Sequence, residues 1–186
     1  MSMEDRLVPN RECGSCSACC VSLHINEPEL QKHADIPCPN LSSQGGCGIY
    51  PTRPGVCKGW YCVWRLMPSL GDEWRPDKCK VLIRLEPGVA GFTLQPLDSP
   101  NMVLTKPEVL QLVGAAIDGG GEVFISIPTR PGWTSAKTSL NAPMFSAIQS
   151  RDFRQLHASM LAAIEAAQSA VTEEIPNFKI PLMHKK

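Results

Sequence analysis

The sequence predicts an α+β protein. An irregular, cysteine-rich metal-binding amino-terminal half packs on a small antiparallel β-β-α-β layer, and a carboxy-terminal helix closes the chain. Three observations predict this. Eight of the nine cysteines fall between Cys13 and Cys62, in a stretch poor in large apolar residues. Strand-like and helix-like apolar patterns then follow one another from Lys80 to Ile127. Last comes a helical stripe of Phe153, Leu156, Met160, Leu161 and Ile164. At 186 residues one domain is expected, with a cysteine-cluster region over 13–70 and an α+β region over 79–171 forming one unit.

Taken in order, residues 1–12 read as a poorly ordered lead-in. Val21 to Ile25 alternates apolar and polar, which predicts a short strand carrying His24 on its polar face. Pro28 to His33 reads as a short helix, with Asn26 as its cap and Pro28 early in the first turn. His24 and His33 rank low as metal ligands. Dense Pro and Gly from Cys38 to Gly55 predict irregular turns. Val56 to Leu66 reads as one helix, on which Cys57 and Cys62 would stand about 140° apart. Arg53 reads either as bonding nearby carbonyls or a thiolate or as an ordinary surface arginine, and Trp60, Tyr61 and Trp64 either as a lid over the cysteines or as ordinary core aromatics.

Gly71 to Lys78 reads as a polar linker. Lys80 to Glu86 and Phe92 to Pro96 predict a hairpin. Thr105, Pro107 and Glu108 open a helix marked by Val109, Leu110, Leu112, Val113 and Ile117. Gly119-Gly120-Gly121 stops it. Because this triple glycine follows a helix and precedes a strand, it is an ordinary loop and not a dinucleotide fingerprint. Glu122 to Ile127 is a third strand. Residues 129–149 read as irregular, Arg151 to Val171 as a helix capped by Ser150, and 172–186 as a partly ordered tail.

The cysteines carry the chemistry. Cys13, Cys16 and Cys19 repeat the C-x-x-C spacing in tandem, with small spacers that let the backbone wrap an ion. Three thiols at successive i+3 steps resemble the start of a ferredoxin run, whereas zinc modules more often use separated pairs. The triple leans toward iron–sulfur and leaves zinc open. In an extended chain, Cys20 would point away from its neighbour Cys19, so it is either a spare thiol or part of a second metal. Cys38, Cys47, Cys57 and Cys62 lie on turns able to fold back, with Cys57 the first choice to join the triple. Cys79 stays unassigned. Ordering a residue costs roughly 1–2 kcal/mol of backbone entropy. A structural zinc returns about 10–16 kcal/mol, so metal is expected to hold this thin-cored half together.

Composition narrows the function. Eighteen basic residues balance eighteen acidic ones, with no long run of one sign, so no nucleic-acid surface is indicated. No apolar run is long enough to span a membrane. MSMEDRLVPN lacks the apolar core of a secretory leader, which predicts a cytoplasmic protein whose thiols stay reduced. There is no paired-carboxylate motif, Ser/His/Asp arrangement or phosphate loop.

The ordered motifs Cys13-x-x-Cys16-x-x-Cys19-Cys20, Cys38-Pro39, and Cys47-x-Ile49-Tyr50-x-x-Arg53-Pro54-x-x-Cys57 resemble the CxxCxxCC cysteine-cluster family. Trp60, Cys62, Trp64 and the run Arg75-Pro76-Asp77-Lys78 resemble one bacterial branch of it. The match covers roughly residues 13–80. The resemblance implies a zinc- or iron-chelating domain. One branch includes flagellin lysine N-methylases, which implies, as an alternative, S-adenosylmethionine-linked methyl transfer to a protein substrate. A third reading is a structural zinc module that presents a surface to a protein partner.

Overall fold

The computed structural model describes residues 4–175. Its centre is a four-stranded sheet of order β3-β4-β5-β6, built from β3 (Val81–Leu85), β4 (Gly91–Pro96), β5 (Glu122–Ile127) and β6 (Ala136–Ser139). A separate antiparallel hairpin, β1 (Ile25–Glu27) with β2 (Leu30–Lys32), belongs to the cysteine-rich half. The α+β expectation holds.

The layer is mixed, where an antiparallel one was expected. β3 and β4 form the predicted antiparallel hairpin, but β4 and β5 run parallel, with Phe92 opposite Val123. The cause is the helical crossover between them: a chain that leaves one strand and returns through a helix re-enters in the same direction. That crossover holds α5 (Pro100–Val103) and α6 (Pro107–Asp118). In α6, Pro107 supplies the fixed φ of the first turn, and Val109, Leu110, Val113 and Ile117 form the buried stripe. Lys106 takes the cap position, while the Thr105 hydroxyl turns back to the Asn101 carbonyl.

Residues 129–149, expected to be irregular, contain β6 and the helix α7 (Asn141–Gln149). Met144 and Ala147 bury that helix against α8 (Phe153–Gln168) and the sheet. Ser150 does not cap α8. The Asp152 carboxylate does, accepting from Arg154 N–H at 2.9 Å and Gln155 N–H at 3.0 Å. Glu174 bridges to Trp133, and Ile175 N–H reaches the Gly132 carbonyl at 2.7 Å. The rest of the expected tail, with His184, lies outside the described residues.

Period-two alternation gives the sheet two uses. Val81, Ile83, Phe92, Leu94, Val123 and Ile125 join Val113, Met144, Met160 and Ile164 in one apolar core. On the other face, Leu82 and Arg84 point to the cysteines, and the buried Gln95 amide donates to the Ser22 carbonyl at 3.1 Å. The cysteine-rich half therefore lies on the face opposite the helices. Val63, Trp64, Leu70 and Trp74 carry it into the same core. The expected linker at 71–78 is thus packed structure: a 3-10 turn at Asp72–Trp74, then a helical turn, α4 (Pro76–Cys79).

Candidate metal centre

The first cysteines lie on a loop that runs into a single helical turn, α1 (Ala18–Ser22). The strand expected over Val21 to Ile25 is absent there, because the tandem spacing closes as turns: Cys16 N–H bonds the Cys13 carbonyl at 2.9 Å. Cys19 and Cys20 are consecutive on α1, so their side chains diverge by about 100°. The segment expected as a helix after Pro28 is instead the returning strand β2, whose inward residues are Leu30 and Lys32.

Three further pieces complete the arrangement. The first is a turn that docks Cys38 N–H on the Cys20 carbonyl at 2.8 Å and bridges Leu41 to Cys47. The second is the Gly45-Gly46 corner. It has φ +84° and +73°, and an added Cβ would meet Ser15 O at 2.6 Å and Gly14 O at 2.1 Å. Only glycine allows the loop carrying Cys47 to lie on the loop carrying Cys13, where Gly46 N–H also bonds the Ser17 hydroxyl at 2.9 Å. The third replaces the single helix expected over Val56 to Leu66. It consists of α2 (Gly55–Lys58) and α3 (Val63–Leu66), interrupted between Gly59 and Cys62.

The lead-in also has defined structure from Glu4 on. Val8 N–H bonds the Arg65 carbonyl at 2.8 Å, and the Arg11 guanidinium bonds the carbonyls of Trp64, Met67 and Leu70. This clamp sets the loop of Cys13 and Cys16 beside Cys62, which opens α3. Arg53 does what its position suggested: it donates to the carbonyls of Tyr50 (3.0 Å) and Cys57 (3.1 Å) and to the Tyr61 hydroxyl (3.1 Å).

All eight cysteines from Cys13 to Cys62 line one cavity of about 240 Å³, and all nine cysteines are free thiols. Trp60, Tyr61 and Trp64 form part of its wall, as expected. Cys79 lies elsewhere, buried with its sulfur 3.2 Å from the Val81 carbonyl. His24 borders the cavity and stacks on His33, ring centroids 5.9 Å apart. Among the described residues, no three His, Cys, Asp or Glu side chains already stand in metal-binding geometry. The thiols surround a space and do not converge on a point.

The electrostatics of this space are one-sided. Lys32, Arg53, Arg65 and Arg84 line it, and no carboxylate does among the described residues. The Lys32 ammonium is 2% exposed and donates to the carbonyls of Val21 (2.9 Å), Leu23 and His33 (3.0 Å). Burial pushes its pKa down, and the neighbouring Cys38 thiol counters this. Arg65 is 7% exposed, and its Nε and Nη1 have no hydrogen-bond partner among the described residues; Nε of Arg84 is likewise unpartnered. Leaving such donors unmet costs roughly 1–3 kcal/mol each. The cavity therefore favours an anionic content, which metal-bound thiolates provide.

The thiols respond to one another. The Cys19 thiol donates to the Cys20 sulfur, which raises the pKa of Cys19 well above normal and lowers that of Cys20 to about 7. Burial pushes Cys62 up to about 11, with Cys13 and Cys16 adding to the rise. Burial also raises Cys57, and here the contributing neighbours are Cys38, Cys20 and Cys47. The thiols acting on Cys57 thus include Cys20 of the first cluster, and those acting on Cys62 are Cys13 and Cys16. Backbone bonds from Ala18 and Asp77 hold the Cys16 sulfur. Asp77 is itself clamped by Arg75 at 2.6 Å, which keeps its carboxylate pKa low.

Spacing alone did not reveal Lys32, Arg65, Arg84 and Asp77 as parts of the wall or its support. For Lys32 a signal was present: read as a strand, 30–32 puts it on the same face as buried Leu30. Compared with known proteins, the chain matches no family model, no curated protein and no solved structure.

Proposed function

We propose that this chain is a thiolate metal-binding protein that takes zinc or iron, the iron as an iron–sulfur cluster. One observation carries the reading: eight free thiols line one cavity whose other charged side chains are all cationic. Thiolate sets without carboxylates suit zinc and iron–sulfur, not magnesium or calcium. The buried, unpartnered nitrogens of Arg65 and Arg84 fit such a centre, because thiolates bound to a divalent ion keep a net negative charge. The motifs resembling the CxxCxxCC family point to the same chemistry, and the reduced thiols suit a cytoplasmic setting.

When bound, the metal supplies cross-links among loops that have little core of their own. The chain's residues do the rest. Arg11 and Arg53 fix the loops, Gly45 and Gly46 let them touch, and Trp60, Tyr61 and Trp64 form one wall. A volume of about 240 Å³ is below the roughly 300–1,000 Å³ of pockets that enclose drug-sized organic ligands, so the metal reading is preferred over one requiring S-adenosylmethionine.

Elemental analysis and a visible spectrum of protein purified anaerobically without chelator test this. Brown protein indicates iron–sulfur and colourless protein with bound zinc indicates zinc. Folded protein holding less than about one-tenth of an equivalent of the two metals together would overturn it.

A further inference from the structure

We infer that the eight thiols form two separate four-thiolate centres, divided at the Cys19–Cys20 peptide. Cys13, Cys16, Cys19 and Cys62 build one, and Cys20, Cys38, Cys47 and Cys57 build the other. The inference rests on the metal-binding reading and specifies how the thiols are shared.

Three observations carry it. First, Cys19 and Cys20 follow one another on α1, about 100° apart around its axis, so that each can turn to a different centre although the Cys19 thiol donates to the Cys20 sulfur. Second, the backbone sorts the remaining thiols. Cys38 N–H is bonded to the Cys20 carbonyl at 2.8 Å, the Leu41–Cys47 bridge holds Cys47 against that turn, and Arg53 ties Tyr50, three residues after Cys47, to the Cys57 carbonyl. On the other side, Arg11 clamps the loop of Cys13 and Cys16 to α3, which Cys62 opens.

Third, the charges close. Eight thiolates holding two divalent ions, or two cubane clusters of charge +2, retain a charge of −4. Among the described residues the wall supplies four cations, Lys32, Arg53, Arg65 and Arg84, and the Asp77 carboxylate that meets the Cys16 thiol is balanced by Arg75. One four-thiolate centre would leave half of that positive charge without a counterpart in a largely buried space.

Cobalt(II) added to the reduced full-length chain is the probe, because tetrahedral thiolate coordination gives it a visible spectrum. Saturation at two equivalents is expected. Cys62→Ser and Cys57→Ser should each halve that capacity and keep the tetrahedral spectrum of the remaining ion. The pair Cys16→Ser with Cys62→Ser should lose no more than Cys62→Ser alone, whereas Cys57→Ser with Cys62→Ser should lose both ions. Loss of all cobalt in either single variant, with α8 still protected in hydrogen exchange, would show one shared polymetal centre and overturn the division. If a single variant fails to fold, the wild-type count decides, and saturation at one equivalent or above two overturns the division. A wild-type chain that takes up no cobalt, zinc or iron overturns the metal reading itself, a separate result.

Discussion

The backbone N–H of Cys38 donates to the carbonyl of Cys20 across 2.8 Å. This bond joins the last thiol of the amino-terminal run to the first thiol of the turns that follow. It also places the turn that carries the Leu41–Cys47 bridge beside α1. The helices pack their apolar core on one face of the sheet and the thiol-lined cavity borders the other, with Trp64 belonging to both.

Metal removal should therefore act on one face. After chelation, amides between residues 13 and 66 should exchange faster, while those of α6 and α8 keep their protection. The helices bury Val109, Leu110, Met160 and Ile164 almost completely and need no metal to do so. Hydrogen exchange read by mass spectrometry checks this. Equal loss in α8 would mean that the core itself depends on the cysteine half.

Gly46→Ala should separate the two cysteine-bearing loops. Its φ of +73° is costly for alanine, and the new Cβ would stand 2.1 Å from the Gly14 carbonyl oxygen. The φ penalty alone is roughly 1–2 kcal/mol, and the overlap forces the backbone apart. Lower metal content and a lower denaturation midpoint are expected. Gly88→Ala is the control: its φ is also positive, but no atom lies within 4 Å of the added carbon, so it should lose stability without losing metal.

How far this was readable follows from where the information lies. The β3–β4 hairpin, α6, β5 and α8 were legible because periodicity and Gly or Pro punctuation coincide there. The β1–β2 hairpin was not, since three-residue strands show no period and Pro28 imitates a helix start. Residues 129–149 hid β6 and α7 because their Pro, Gly and Ser content resembles a loop, while Met144 and Ala147 find their burial only against α8. Trp74 similarly turns an apparent linker into core. Spacing identified the eight cysteines as a group. Their grouping depends on Arg11 meeting α3 and Cys38 meeting Cys20, contacts across long sequence separations that no local pattern encodes.

Cys79→Ser should leave metal content unchanged. Cys79 packs in the apolar core, with its sulfur 3.4 Å from the Trp74 carbonyl, and does not border the cavity. A serine hydroxyl keeps that contact but packs less well, so a stability loss of roughly 1 kcal/mol is expected. Loss of metal in this variant, measured beside Cys16→Ser, would place Cys79 in the site.

Arg65→Met should have opposite effects on the metal-free and the metal-loaded protein. Without metal, the buried guanidinium has two unpartnered nitrogens, and neutral thiols offer it no counter-charge. Methionine fills similar space without that cost, so the metal-free protein should gain roughly 1–3 kcal/mol. With metal bound, the thiolates carry negative charge that Arg65 offsets. A unit charge about 8 Å away contributes about 2 kcal/mol at an effective dielectric constant of about 20. The loaded protein should therefore lose about that much, and because the two effects add, metal affinity should fall by about a hundredfold or more. Denaturant midpoints of the two forms, with and without chelator, measure both signs. If methionine destabilises both forms alike, Arg65 serves packing against Tyr61, whose ring centroid is 5.7 Å from the guanidinium carbon, and not the charge of the cavity.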